Sequence, residues 1–320
     1  MALRLSRLLI AGIAIALALL LIPIVHPDSF TLTILTFANI FAVVAVSWDF
    51  FTGLTGRFNF GQALFFGAGA YALGFMNLNL GANPLLAVPL AGAVAVVIGV
   101  AFGFPTLRLK GPYFALATLI FPLIAGDLTF SLSSVFGGEH GLYGLTSFSD
   151  SFVVQYYGSL LLMLATVLVL LYLTSSRLGL ALESIRDDEK AASATGMNVT
   201  KYKLMAYMIS AFFTGMAGAY QAQLFKFVGP DTFSSTISFE IIAMTIVGGI
   251  ATIVGPVLGA YLLIIVLDGL GISSDISVLT YGVLLMIIVL VFPGGLLGRL
   301  KTNLRGMRIR RLLEEKPDAT

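Results

Sequence analysis

Cysteine is absent from these 320 residues, and charged residues make up only 11% of them. The first absence excludes disulfides, thiolate chemistry and cysteine metal sites. The second sets the chain far from soluble proteins, in which about a quarter of residues are charged. Histidine occurs twice, at His26 and His140. No glycine-rich loop ends in Gly-Lys-Ser or Gly-Lys-Thr, and neither His-Glu-x-x-His nor Gly-x-Ser-x-Gly occurs. The chain therefore cannot cradle a nucleotide phosphate in the P-loop manner, and energy from ATP would have to come from a partner. Intramembrane hydrolysis is unsupported, and no catalytic residue or metal-ligand set is assigned. Basic residues are not interleaved with aromatics on a soluble fold, so nucleic-acid binding is unsupported too.

What the chain has is apolar length. Hydrophobic residues reach 58% and the mean hydropathy is +1.00. A membrane span needs about 20 largely apolar residues, so the expectation is an all-α integral membrane protein with about ten helices and no sizeable soluble domain. The expected spans are residues 8–25, 32–51, 59–79, 84–104, 113–133, 154–174, 204–225, 238–254, 256–271 and 277–293. The first reads as a retained helix because no small-x-small cleavage site follows it. With ten spans both termini lie on one side. If that side is the cytoplasm, 17 of the 18 basic residues are cytoplasmic and Lys226 alone is outside. Such a bias is what the positive-inside rule demands. The transmembrane unit is residues 1–298, and residues 299–320 form a basic cytoplasmic tail whose Arg299 to Arg311 cluster suits anionic lipid headgroups.

The longest stretch unsuited to lipid is 175–203, with nine charged residues including Glu183, Arg186, Asp187 and Glu189. Nothing from Leu180 to Ala194 breaks a helix, and Leu180, Ser184, Asp187, Ala191 and Ala194 recur at three- and four-residue steps. This predicts one short polar surface helix stopped by Gly196. It reads either as a solvated connector or as a docking element for a cytoplasmic partner. Elsewhere, glycine is dense at 53–71 and 248–261, which permits close helix approach or a broken helix. Gly-Ala-Tyr recurs at 69–71, 218–220 and 259–261. Acidic residues in or near spans are Asp49, Asp127, Glu240 and Asp268; their cost in a membrane makes each a candidate for a substrate path, Asp127 and Glu240 foremost.

Separated blocks, in order, carry a family resemblance. They are Gly53-x-x-Gly56-x-x-x-Phe60-Gly61-x-Ala63-x-Phe65-Phe66-Gly67-x-Gly69-Ala70-Tyr71, then Leu107 to Leu119, Gly137-Gly138-x-x-Gly141-Leu142, the 178–220 stretch, Glu240, Gly248-Gly249, Gly255-Pro256-x-Leu258-Gly259, Tyr281-Gly282 and Pro293-x-Gly295-Leu296. Over about 45–298 the chain resembles the inner-membrane permease subunits of ABC importers for branched-chain amino acids, of the LivM type, which include the closely similar urea and amide permeases.

The resemblance implies an ABC importer permease fold in a bacterial or archaeal plasma membrane. It implies a homologous second permease subunit, two ABC ATPase subunits that bind ATP and Mg, and an extracytoplasmic substrate-binding protein. No cofactor is expected on this chain, and it is not itself an enzyme. The 175–203 stretch is similar to the coupling helix that such permeases insert into the ATPase, which makes Glu183, Arg186, Asp187, Glu189, Ala191, Ala192 and Gly196 the candidate contacts. Lys190 stands where the family pattern has Glu, with Glu189 one residue early. The family commonly has His where this chain has Gln62, and Gln keeps hydrogen-bonding capacity without titrating. Gln62, Phe66, Asp127 and Glu240 are the candidates for the translocation path.

The outer loops hold five acids, Asp28, Glu139, Asp150, Asp231 and Asp275, against Lys226. Glu139 and Asp150 are the candidates for docking the binding protein. An ion-coupled secondary carrier, with Asp127 or Glu240 as ion ligand, is the alternative from another class; a channel-like pore is a third.

Overall fold

The computed structural model describes residues 19–23, 28–109, 111–267, 282, 286 and 295–297. The expected spans 8–25 and 277–293 fall largely outside the described residues, as do Asp268, Asp275 and the 299–320 tail.

The elements follow local sequence signals. Helix α1 is Ser29–Thr55, capped by the Asp28 carboxylate, which accepts from Thr31 N, and stopped by Gly56 at φ 69°. After six non-helical residues, α2 runs Gln62–Leu80. Helix α3, Pro84–Thr106, starts at an Asn83 cap with proline in its first turn. Helix α4, Pro112–Ser131, also has proline in its first turn but no side-chain cap, and starts behind Gly111 at φ 54°. The short α5, Ser133–Phe136, and a 3-10 turn at Gly138–His140 lead to strand β1, Leu142–Tyr143. Helix α6 is Phe152–Ser175.

Two short helices follow, α7 at Arg177–Asp187 and α8 at Glu189–Ala194. Helix α9, Val199–Phe225, leads to β2, Phe227–Val228, and a 3-10 turn at Pro230–Phe233. Helices α10, Ser235–Gly248, and α11, Gly255–Leu267, complete the described elements.

Helix α1 is the hub, packed by α6, α9, α10 and α11, while α9 lies against α2 and α3. Most of α1 and α2 is buried, whereas α3, α4 and α6 turn apolar side chains such as Leu86, Leu116 and Leu161 outward. Among the described residues, α1, α2, α3, α4 and α6 are long and apolar enough to cross a membrane. Helix α9 has the length but starts polar, with Lys201 and Lys203 in its first turns.

Two expectations need correction. The single helix expected over Leu180–Ala194 is two, because Asp188 adopts an extended backbone (φ −154°, ψ 106°) and turns its carboxylate onto the N–H groups of Lys190 and Ala191. An aspartate that bonds its own downstream backbone competes with the helix that would run through it. The 238–254 span ends early, at Gly248, and residues 249–254 form a non-helical break before Gly255. The long loop after α4 is shaped by a short strand pair: β1 pairs antiparallel with β2, Leu142 opposite Val228 and Tyr143 opposite Phe227. Gly141, at φ 67°, lets that loop touch the second strand, since a Cβ there would lie 2.2 Å from the Val228 carbonyl oxygen.

Glycine also sets how closely helices cross. A Cβ on Gly69 would lie 2.0 Å from the Gly215 carbonyl, and one on Gly218 would lie 1.9 Å from that of Phe66, so α2 and α9 touch backbone to backbone. Gly259 meets Met244 in the same way, at 1.9 Å, between α11 and α10. The glycine of each Gly-Ala-Tyr copy thus sits at a helix crossing.

Candidate functional site

Two regions gather the singled-out residues. The first is the end of the molecule where α7 and α8 lie. Both helices are amphipathic: Leu182, Ile185 and Ala192 face inward and are buried, whereas Asp187, Asp188, Lys190, Ala191 and Gly196 are exposed. Glu183 is half-buried, and Gly196 takes φ 83° just past the end of α8.

Glu189 binds two cations of the chain's own body. Its Oε2 lies 2.7 Å from Arg57 Nη2 on the α1–α2 connection, and its Oε1 lies 2.6 Å from Lys203 Nζ at the base of α9. Arg57 also donates to the Leu109 carbonyl. Burial pushes the Glu189 carboxyl up, but hydrogen bonds and charge from Lys203 and Arg57 outweigh it and hold the group below the ordinary carboxylate value. Arg186 Nη1 donates to the Gly53 carbonyl near the end of α1, at 2.9 Å. Between this segment, the α1–α2 connection and the start of α4 lies an open cleft of about 780 Å³, edged by Arg57, Phe58, Pro112, Arg186 and Lys190.

The second region is central. Gln62, the first residue of α2, is fully buried and its side chain bridges three elements. Its Nε2 donates to Ser210 Oγ (3.2 Å) and Thr214 Oγ1 (2.5 Å) on α9, and its Oε1 accepts from Asn59 Nδ2 at 3.0 Å. Trp48 of α1 donates its indole N–H to the Asn59 carbonyl at 2.6 Å. Two backbone donors next to Gln62 are also met, Ala63 N by Ser238 Oγ of α10 at 3.0 Å and Phe60 N by Thr118 Oγ1 of α4 at 3.1 Å. The result is a buried polar knot joining α1, α2, α4, α9 and α10. Buried groups that satisfy one another this way fix the relative register of the helices that carry them.

Phe66, one turn further along α2, is fully buried against Phe41, with ring centroids 6.2 Å apart. In this conformation the knot and Phe66 form a closed seam.

Asp127 is exposed on α4, and Glu240 is half-buried on α10, two residues from Ser238. Asp49 is fully buried and receives backbone N–H groups from the α10–α11 break, so in this conformation it lines no open path.

At the end opposite α7 and α8, beside the β1–β2 pair, Glu139 is exposed and Asp150 lies 2.7 Å from Lys226. The Lys226 hydrogen bond and charge hold Asp150 below the ordinary carboxylate value. Among the described residues no group of three or more His, Cys, Asp or Glu gathers as a metal site.

Sequence reasoning missed Asn59, Ser210, Thr214 and Ser238, although Ser210 and Thr214, four apart in an apolar helix, share a face that could have signalled a buried partner. It also missed Arg57 and Lys203 as the partners of Glu189.

Comparisons with known proteins agree on one family. The family described as branched-chain amino acid transport system / permease component matches residues 30–292. The high-affinity branched-chain amino acid transport system permease protein LivM of Salmonella typhimurium is 30% identical over 321 residues, covering 90% of this chain and 76% of that protein. LivH of Escherichia coli, named a permease protein of the same kind of system, is 25% identical, covering 82% of this chain and 93% of that protein. A probable branched-chain amino acid transport permease protein LivM of Methanocaldococcus jannaschii is 24% identical, with 82% and 92% covered. No solved structure matches the chain.

Proposed function

This chain belongs to the branched-chain amino acid transport permease family, and from that premise we propose that it is one transmembrane subunit of a binding-protein-dependent ABC importer for branched-chain or other neutral amino acids. Its partners are a homologous second permease, two ATPase subunits that bind ATP and Mg, and an extracytoplasmic binding protein. The similarity to both a LivM and a LivH protein supports the pairing of two related permeases. About ten helices cross a plasma (inner) membrane, with both termini in the cytoplasm. Segregation of the described basic residues supports that orientation: Arg57, Arg186, Lys190 and Lys203 gather at the α7–α8 end, with Lys226 at the other.

The observation that carries the reading is the anchored α7–α8 segment. It offers an exposed face to a partner while Glu189 and Arg186 tie it to α1, α9 and the α1–α2 connection. A segment held this way passes a push from outside to the helices around the central knot instead of absorbing it. Gln62 and Phe66, closed over in this conformation, then line the path that opens when α1, α2 and α9 re-pack.

Reconstitution tests the proposal. In proteoliposomes holding this chain, its second permease and its ATPase subunits, uptake of labelled leucine should require enclosed ATP and the added binding protein, and should survive ionophores that collapse ion gradients. Uptake without ATP that stops with ionophore would instead support the ion-coupled carrier. A ligand panel including urea and short amides on the binding protein decides the substrate class. Ala191→Arg, on the exposed face of α8, should release the ATPase without unfolding the chain. Normal uptake by that variant would remove α8 from the interface.

A further inference from the structure

The break between α10 and α11 is strained backbone. Of the three non-glycine residues with positive φ among the described residues, two lie here, Ala251 and Ile253, both at φ 60°, behind Gly249 at φ 118°. The left-handed region disfavours alanine and disfavours β-branched isoleucine more. Such a segment persists only when its surroundings hold it.

The holding group is Asp49, six residues before the end of α1. Its Oδ1 accepts from Ala251 N at 2.5 Å, and its Oδ2 accepts from Thr252 N and Ile253 N, each at 3.0 Å. Successive N–H groups aimed at one anion make a nest, and a fully buried carboxylate there forms charge-assisted bonds. Thr252 braces the loop from within, donating to the Gly249 carbonyl (2.6 Å) and accepting from Gly255 N (3.0 Å).

A second observation ties this clasp to α7. Gly53 follows Asp49 by one turn, and a Cβ there would lie 2.5 Å from Asp49 Oδ1 and 2.8 Å from Ala251 Cα. The carbonyl of the same Gly53 accepts from Arg186 at 2.9 Å. Gly56 lets the arginine lie close, since its own Cβ would be 2.9 Å from Arg186 Cγ. One glycine of α1 is thus touched by the clasp on one side and by α7 on the other. Helix α10 carries the consequence onward, because its Ser238 accepts the Ala63 N–H beside Gln62.

We propose that Asp49 is a positioning residue that clasps the α10–α11 break to α1, and that Arg186 sets this clasp from α7, so that displacement of α7 changes the conformation of residues 249–254. Only the source of that displacement, a partner ATPase, rests on the importer reading; the clasp and its link to Arg186 stand apart from it.

Amide hydrogen exchange on the purified chain tests the clasp without any partner. Asp49→Asn keeps the size of the side chain but turns an amide toward the three donors, and exchange at residues 251–253 should rise about tenfold or more. Arg186→Met touches none of those amides, yet should raise their exchange as well. Arg186→Lys keeps one donor for the Gly53 carbonyl and should restore most of the protection. Lys226→Met, at the opposite end, is the control and should leave these amides as they are.

Wild-type exchange in Arg186→Met overturns the link, and wild-type exchange in Asp49→Asn overturns the clasp. Should Asp49→Asn fail to fold, the Arg186 pair still decides the proposal. In the reconstituted importer, transport per ATP hydrolysed should fall in Asp49→Asn and Arg186→Met, with the double variant no worse than the worse single one. Loss of the exchange effects with ATP-driven uptake intact would sink the clasp alone; the exchange effects without ATP-driven uptake in the wild type would sink the importer reading alone.

Discussion

Glu189 holds two cations that have little access to water. The side chains of Lys203 and Arg57 are 1% and 10% exposed, against 41% for Glu189. Removing the carboxylate strands both charges, a change that costs about 3–5 kcal/mol when all partners are buried. The exposure of Glu189 screens the pair and reduces this to about 1–3 kcal/mol for Glu189→Gln. Thermal unfolding in detergent checks the value. Adding Lys203→Met to Glu189→Gln should recover part of the loss, because it removes the stranded ammonium; a double variant worse than the single one would refute the pairing. Acid provides a further check. Folding lowers the Glu189 pKa, so its contribution is complete above the ordinary value of 4.5 and disappears as pH falls through the depressed folded value. The stability gap between wild type and Glu189→Gln should therefore close on acidification below that range and stay constant on the neutral side.

Helix crossings depend on backbone contact more than on side-chain interlock. Lipid tails are as apolar as leucine, so helices in a membrane associate through close packing and hydrogen bonds. At Gly69 and Gly218 a methyl group would overlap a facing carbonyl, and neither backbone can move without separating α2 from α9. Gly69→Ala and Gly218→Ala should each cost about 1–3 kcal/mol or more. Gly126 on α4 is the contrast. The nearest heavy atom to a Cβ there is Phe233 Cβ at 3.7 Å. Gly126→Ala should be neutral, or stabilising by up to about 1 kcal/mol through helix propensity. Unfolding midpoints of the three variants measure this, and equal destabilisation would mean the α2–α9 contact is no tighter than the ordinary packing around Gly126.

The whole molecule is polarised from end to end. One end carries the α7–α8 segment and its cations, while the other carries the β1–β2 pair with exposed Glu139 and the Asp150–Lys226 pair. If the second end receives a binding protein, Glu139 should contribute more to steering than Asp150, whose charge Lys226 already opposes. Glu139→Lys should raise the binding-protein concentration that gives half-maximal uptake, and Asp150→Lys less so. Both effects should fade with added salt, since exposed charges are screened over about 8–10 Å at ordinary ionic strength. Identical concentration dependence in Glu139→Lys at low salt would leave the acidic rim without a docking role.

Composition and apolar run length settled the membrane class, most helix positions and the separation of charge between the two ends. These follow from one-dimensional rules: the thickness of the bilayer, the period of a helix, and the cost of carrying lysine or arginine across the membrane. Ordered motif blocks indicated the family before any fold was described. What the sequence left undecided depends on partners far apart along the chain. Glu189 looked like a displaced interface carboxylate until Lys203 and Arg57 closed on it. Asp49, one more acid in a span, acquired its role from amides about 200 positions away, and Gln62 from two hydroxyls on α9. A buried polar group has no meaning without its hydrogen-bond partners, and only the packed tertiary structure says which they are.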